Sequence, residues 1–183
     1  NAAVNMNKLL QISSGAVYTD DGDSLEFDIK HRYKVLREVI DESTKKVLVF
    51  VPFKHVIDIL ADKLINDGIP TEIIRGDVSA AKRTDIFKRF QTSASPQVLV
   101  IQPAAAAHGV TLTAANTVVW WGPTSSLETY AQANARVHRS GQDQKCTVVQ
   151  LQSSPVEKRI YSLLDNRINI HRFNSRSVNF FTI

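Results

Sequence analysis

Three side chains between Glu128 and Gln142 are of the types that hold an anion: Gln132, Arg136 and Arg139. No residue from Leu127 to Arg139 breaks a helix, and Gly141 is the residue type that stands just past a helix end. The stretch therefore predicts one helix closing at Gly141. On that helix the i, i+4, i+7 spacing puts the amide and the two guanidiniums on one face. Tyr130, Ala133 and Val137 form an apolar stripe on another. One face would pack on a core while the other is offered outward. Guanidinium forks donate paired hydrogen bonds and keep their charge, which suits a phosphate group. A lone R-x-x-R reads more simply as two solvated arginines. The full string Q-A-x-A-R-x-H-R-x-G-Q is long enough to be specific.

The elements that must position this segment alternate along the chain. Val47 to Val51 is a continuous apolar run of the kind buried on both faces of a parallel sheet. Further strands are expected at Thr71–Ile74, Gln97–Ile101, Asn116–Trp121 and Lys145–Leu151. Amphipathic helices are expected at Lys30–Ser43, Phe53–Asn66 and Ala80–Phe90, and a last one runs from Ser153-Ser154-Pro155 to Ile170. Ser79 is placed to cap the helix from Ala80, and Ser125 or Ser126 the helix before Gln132. Strand and helix in alternation give a parallel sheet with helices on both faces. The loops at 52–54, 75–79, 102–111 and 122–126 follow strands, so they should share the carboxyl edge where such sheets bind ligands. Ahead of this core, Met6–Ile12 reads as helix. Asp20-Asp-Gly-Asp23, flanked by Ala16–Thr19 and Ser24–Ile29, reads as a hairpin. The division is an appendage at 1–29, a core lobe at 30–171 and a tail without clear period at 172–183.

The composition is that of one globular domain: 183 residues, 43% hydrophobic and 22% charged. A net charge of +4 allows nucleic acid as a partner without requiring it. Cys146 is the single cysteine, which excludes an internal disulfide and a cysteine-based zinc site. His31, His55, His108, His138 and His171 have no metal-ligand spacing, so no metal site is expected. The longest apolar run is far too short to span a bilayer, and no signal peptide opens the chain. These features set the expectation of a soluble, cytoplasmic protein with no membrane partner.

The segment 128–142 resembles motif VI of the superfamily-two helicases, in the form carried by Swi/Snf-type DNA translocases. Four further stretches are similar to the same family in the same order. Lys46-Val-Leu-Val-Phe-Val-Pro-Phe53 resembles motif IV, and Arg75-Gly-Asp-Val-Ser79 with Arg83, Phe87 and Phe90 the segment after it. Val98 to Val119 resembles motif V, with Ala106, Ala107 and Thr111 where the family usually has two glycines and an asparagine. His108, before Gly109, is similar to small prokaryotic and phage members. Ser153 to Leu164 resembles the helix that braces the two lobes of that family. The resemblance implies a C-terminal RecA-like lobe. Arg136 and Arg139 would be arginine fingers, and Gln132 and Gly109 would lie at ATP. Phe53, Lys54, Arg75, Gly76, Gln102 and Pro103 would lie along the backbone of double-stranded DNA. It implies bacterial or phage-infected cytoplasm as the setting.

None of the seven glycines is followed by lysine, so the G-x4-G-K-[ST] phosphate loop is missing. The expectation is that ATP and Mg2+ are held mainly by a first lobe encoded upstream, and that this piece alone is inactive. A non-catalytic nucleic-acid-binding module on the same fold is the alternative reading. It needs positive charge but not the Gln-Arg-Arg spacing.

Overall fold

Valine, leucine and isoleucine fill Lys46–Phe50, Val98–Ile101 and Ala115–Trp120. These three segments are adjacent inner strands of a parallel sheet, with their apolar side chains buried on both faces. In the computed structural model, which describes residues 2–19, 21–106, 109–170 and 178–182, the chain opens with α1 (Ala2–Ser14). A hairpin of β1 (Ala16–Tyr18) and β2 (Ser24–Glu26) follows. Then come α2 (Lys30–Glu42), β3 (Lys46–Phe50), α3 (Lys54–Asn66), β4 (Thr71–Ile74) and α4 (Ala80–Thr92). The second half holds β5 (Val98–Ile101), β6 (Ala115–Trp120), α5 (Leu127–Asn134), β7 (Cys146–Gln150), α6 (Pro155–Ile170) and β8 (Val178–Thr182). Asp20 of the expected turn, Ala107 and His108, His171 and the start of the tail lie outside the described residues.

The six-stranded sheet runs β4-β5-β3-β6-β7-β8, and every pairing in it is parallel. Alternation along the strands sorts the core into two halves. Leu48, Phe50, Leu99, Ile101, Val118 and Trp120 face α4, α5 and α6. Val47, Val49, Val98, Val100 and Val119 face α2 and α3. This is the RecA-like layering expected from the alternation of elements. Ser79 accepts the Lys82 N–H at 3.3 Å and Ser126 the Thr129 N–H at 3.2 Å, so both expected caps are made.

Two expectations are corrected. The helix from Leu127 stops at Asn134, and residues 135–141 form a string of turns instead of its last two turns. Neither Arg136 nor Arg139 is therefore on a helical face with Gln132. The carbonyls that would continue the helix are taken by tertiary donors: Leu112 N–H donates to Arg136 O at 2.9 Å, and the Gln142 amide to Val137 O at 3.3 Å. The indole of Trp120 donates to Asn134 Oδ1 at 2.9 Å and pins the last helical residue. The second correction is in the tail, where Val178–Thr182 forms β8 beside β7.

The N-terminal segment is tied to the core. Trp121 Nε1 donates to Ser14 O at 2.8 Å, and Ser13 Oγ to Ser154 Oγ at 3.0 Å. Beneath it, Arg32 Nη2 donates to both Glu157 oxygens at 2.8 and 2.7 Å and to Ser153, while its Nη1 donates to Trp121 O. Glu157 also closes a reciprocal cap at the start of α6. Ser154 Oγ accepts the Glu157 N–H at 3.3 Å, and Glu157 Oε2 accepts the Ser154 N–H at 3.2 Å.

Candidate functional site

One loop links the turn at Gly76 to Arg136 and Arg139. It leaves β5 at Gln102, turns through a 3₁₀ segment at Pro103–Ala106 and reaches β6 at Ala115. Its first residue belongs to the carboxyl edge of the sheet: Gln102 N–H donates to Ile74 O at 2.8 Å, and Gln102 Oε1 accepts the Gly76 N–H at 3.2 Å. Its later residues meet the turns after α5. Arg136 Nε donates to Ala106 O at 2.9 Å, and Arg139 Nη1 to Gly109 O at 3.0 Å, with Thr111 Oγ1 at 3.4 Å. Ala106 sits in a 3₁₀ segment, whose φ is negative, so its methyl group fits where the family usually has glycine. Gly109 has φ +61°, the left-handed region that favours glycine.

The two arginines differ in exposure. Arg136 is buried at 9% and Arg139 is exposed. Burial, and then the charge of Arg139, lower the Arg136 pKa from its ordinary value. The sign means that the protonated form carries an electrostatic cost, although a guanidinium stays charged in proteins. An anion brought to this pair would relieve that cost. Gln132 stands apart from the turns, half-buried on α5, and its amide donates to Glu128 Oε1 at 2.9 Å.

The second group gathers at the carboxyl ends of β3, β4 and β5. Phe53 is the residue before α3, half-buried against the core, and Lys54 opens the helix, exposed. Arg75 and the exposed Gly76 follow β4, and Gln102 bridges to them. Pro103 is buried, so it shapes the turn and presents little surface. Sequence reasoning missed the acidic partners here. Lys54 Nζ is 2.9 Å from Asp77 Oδ2, Arg75 Nε is 2.8 Å from Asp77 Oδ1, and Arg75 also pairs with Asp58. Asp77 was visible in R-G-D, but nothing in the sequence tells that it faces Lys54.

Gln142 was also missed. It closes the specific string, but its residue type alone gives it no role there. Its amide donates to Ala115 O at 2.7 Å, Val137 O at 3.3 Å and Thr113 O at 3.4 Å, and its Oε1 accepts the Gln144 N–H at 3.2 Å. Among the described residues no group of three or more His, Cys, Asp or Glu side chains is arranged to hold a metal ion. No helix among them is long and apolar enough to cross a membrane.

The family model "Helicase conserved C-terminal domain" matches residues 31–141. Among curated relatives, the TATA-binding protein-associated factor mot1 of Aspergillus fumigatus is 31% identical over 136 residues, covering 70% of this chain and 7% of its own. The SWI/SNF-related matrix-associated actin-dependent regulator of chromatin subfamily A-like protein 1 of Xenopus tropicalis is 32% identical over 121 residues, 64% of this chain and 12% of that one. An uncharacterized ATP-dependent helicase of Mycoplasma genitalium is 26% identical over 190 aligned positions, 99% of this chain and 18% of its own. The chain thus spans only a small part of each of these relatives. Among solved structures, the C-terminal part of the Fun30 ATPase domain superposes with a TM-score of 0.67 at 24% identity, over 74% of this chain and 44% of that one. The C-terminal domain of the DEAD-box protein Dbp5 does so with a TM-score of 0.66 at 20% identity, over 84% and 83%. At those identities the likeness is one of fold.

Proposed function

This chain belongs to the helicase conserved C-terminal domain family, and from that membership we propose that it is the C-terminal lobe of an ATP-dependent, Swi/Snf-type translocase on double-stranded DNA. ATP lies between this lobe and a first lobe, which supplies the phosphate loop and the ligands of Mg2+. Arg136 and Arg139 enter from this side as arginine fingers and offset charge developing on the transferred phosphoryl group. Gly109 and Gln132 lie along the same cleft. The loops after β3, β4 and β5, with Phe53, Lys54, Arg75, Gly76, Gln102 and Pro103, grip the duplex backbone. Backbone contacts carry no sequence information, which suits movement along DNA. We read it as a bacterial or phage-borne form acting in the cytoplasm; the likeness to the Mycoplasma genitalium helicase, which runs over 99% of the chain, supports the bacterial part of that reading alone.

The observation that carries this reading is the pairing of two arginines on one loop, with Arg136 buried and its charge felt against that of Arg139. Two like charges on neighbouring turns make this site favourable for a polyanion. The test is DNA-stimulated ATP hydrolysis by the protein with both lobes. Arg136→Ala and Arg139→Ala should each lower turnover per folded molecule by about 10³–10⁵. Wild-type turnover in both would sink the finger assignment.

A further inference from the structure

Among the described residues, four kinds of tie lace the turns after α5 to the loop before β6. Two of them use the guanidiniums: Arg136 Nε on Ala106 O and Arg139 Nη1 on Gly109 O. The third is backbone, from Leu112 N–H to Arg136 O. The fourth is the Gln142 side chain, whose donors span Val137 O in the turns and Ala115 O and Thr113 O in the loop. Val137 lies between the two arginines in sequence, and Ala115 opens β6. Gln142 is thus the side chain that fastens the turn carrying both guanidiniums to the rigid sheet without using either of them. Its backbone N–H also closes the turn on Arg139 O at 3.0 Å.

We propose that Gln142 is a positioning residue for the arginine pair. This rests on the finger reading above. A finger whose carbonyl-bonded N–H turns onto a phosphate oxygen gives up that carbonyl. When both Arg136 and Arg139 do so, these two ties are given up, and the turn would be free to drift. The Gln142 amide and the Leu112 N–H remain, so the Cα positions of both arginines stay fixed while their side chains exchange a carbonyl for a phosphate. Position matters because a misplacement of about 1 Å at a reacting centre costs about 10²-fold in rate. Gln142 has the chemistry for the task. An amide donates to carbonyls through its nitrogen while its oxygen accepts the Gln144 N–H. A carboxylate could do only the second.

The experiment uses the two-lobed protein and compares Gln142→Met, which keeps the length but has no donors, with Gln142→Glu, which turns an anion toward three carbonyls. Turnover, KM for ATP, nucleotide affinity and thermal midpoint are measured together. The expected result is a fall in kcat of about 10- to 100-fold in both, with KM and nucleotide affinity near wild type. A purely structural role would instead lower the thermal midpoint and leave kcat per folded molecule intact, and that outcome overturns the proposal. If Gln142→Met does not fold, Gln142→Asn decides: it keeps the donor on a shorter arm, so reduced kcat at wild-type KM is expected and wild-type kcat overturns the proposal. Arg136→Ala and Arg139→Ala separate the two claims. Loss of turnover there with full turnover in Gln142→Met overturns the positioning role alone. Full turnover in the arginine variants overturns the finger reading and this one with it.

Discussion

Asp77 decides how much positive charge the carboxyl edge presents. It pairs with Lys54 and Arg75 at once, and Arg75 is further neutralised by Asp58. The hydrogen bond from Lys54 is the largest cause holding its carboxyl below the usual carboxylate range. The side chains are about half exposed, so the pairs contribute little to stability and their effect is on the field offered to a phosphate backbone. Asp77→Asn should therefore strengthen duplex binding at low salt by several-fold. It should also steepen the fall of log affinity with log salt by about 0.9 for each phosphate newly engaged. A filter-binding or anisotropy titration across salt concentrations checks this, and an unchanged slope would refute it. The residue types at this edge were legible as an R-G-D loop and a lysine after a strand. The pairing was not, because it depends on α3 and the β4 loop meeting across the sheet edge.

Two elements are held by partners far away in the chain. Helix α5 ends early because Leu112, Trp120 and Gln142 bond to residues 134–137. Local propensity alone would have continued it, since Ala135 to Arg139 contains no breaker. The start of α6 is held by Glu157, which is fully buried, against Arg32, which is 7% exposed. Such a dry pair is weak support for stability as a whole, but breaking it by half strands a charge. Glu157→Ala should cost about 3–5 kcal/mol in chemical denaturation and release α1, since Ser154 and Trp121 hold both ends of that contact. The double change Arg32→Met with Glu157→Leu should recover most of the loss. Equal destabilisation by the single and double variants would show that packing, not charge, holds the joint.

Across the whole molecule, three tyrosines join the helical layers to one another or to the sheet. Tyr33 on α2 donates to Asp67 after α3 at 2.6 Å, Tyr130 on α5 accepts from Gln150 of β7 at 2.8 Å, and Tyr161 on α6 donates to Trp120 O of β6 at 3.2 Å. Burial is the largest cause raising each phenol. Tyr33, with the Asp67 carboxylate adding to the effect, is pushed up to about 12, and Tyr130 and Tyr161 are also raised. A raised folded-state pKa means the fold favours the neutral form. That contribution is complete below the unfolded value of about 10 and is lost as pH rises through the folded value. Absorbance at 295 nm should show these three phenols silent at pH 10 and ionising only with loss of structure near pH 12 or above. Independent, noncooperative ionisation of all of them at pH 10 would contradict the layered packing.

The sequence by itself determined the alternation of β and α elements, the buried inner strands, and serine caps at Ser79 and at Ser125 or Ser126. Those follow from local facts: hydrophobic period, side-chain size and the hydrogen-bonding of a cap with its own next turn. It also picked out Arg136 and Arg139 as a pair. What only the tertiary structure decided was how they are presented. They stand on turns laced to the loop before β6, not on the face of a helix, because the carbonyls of Arg136 and Val137 find donors from Leu112 and Gln142 that no local rule can foresee. The same holds for β8, where a short tail segment becomes a strand only because β7 offers it an open edge.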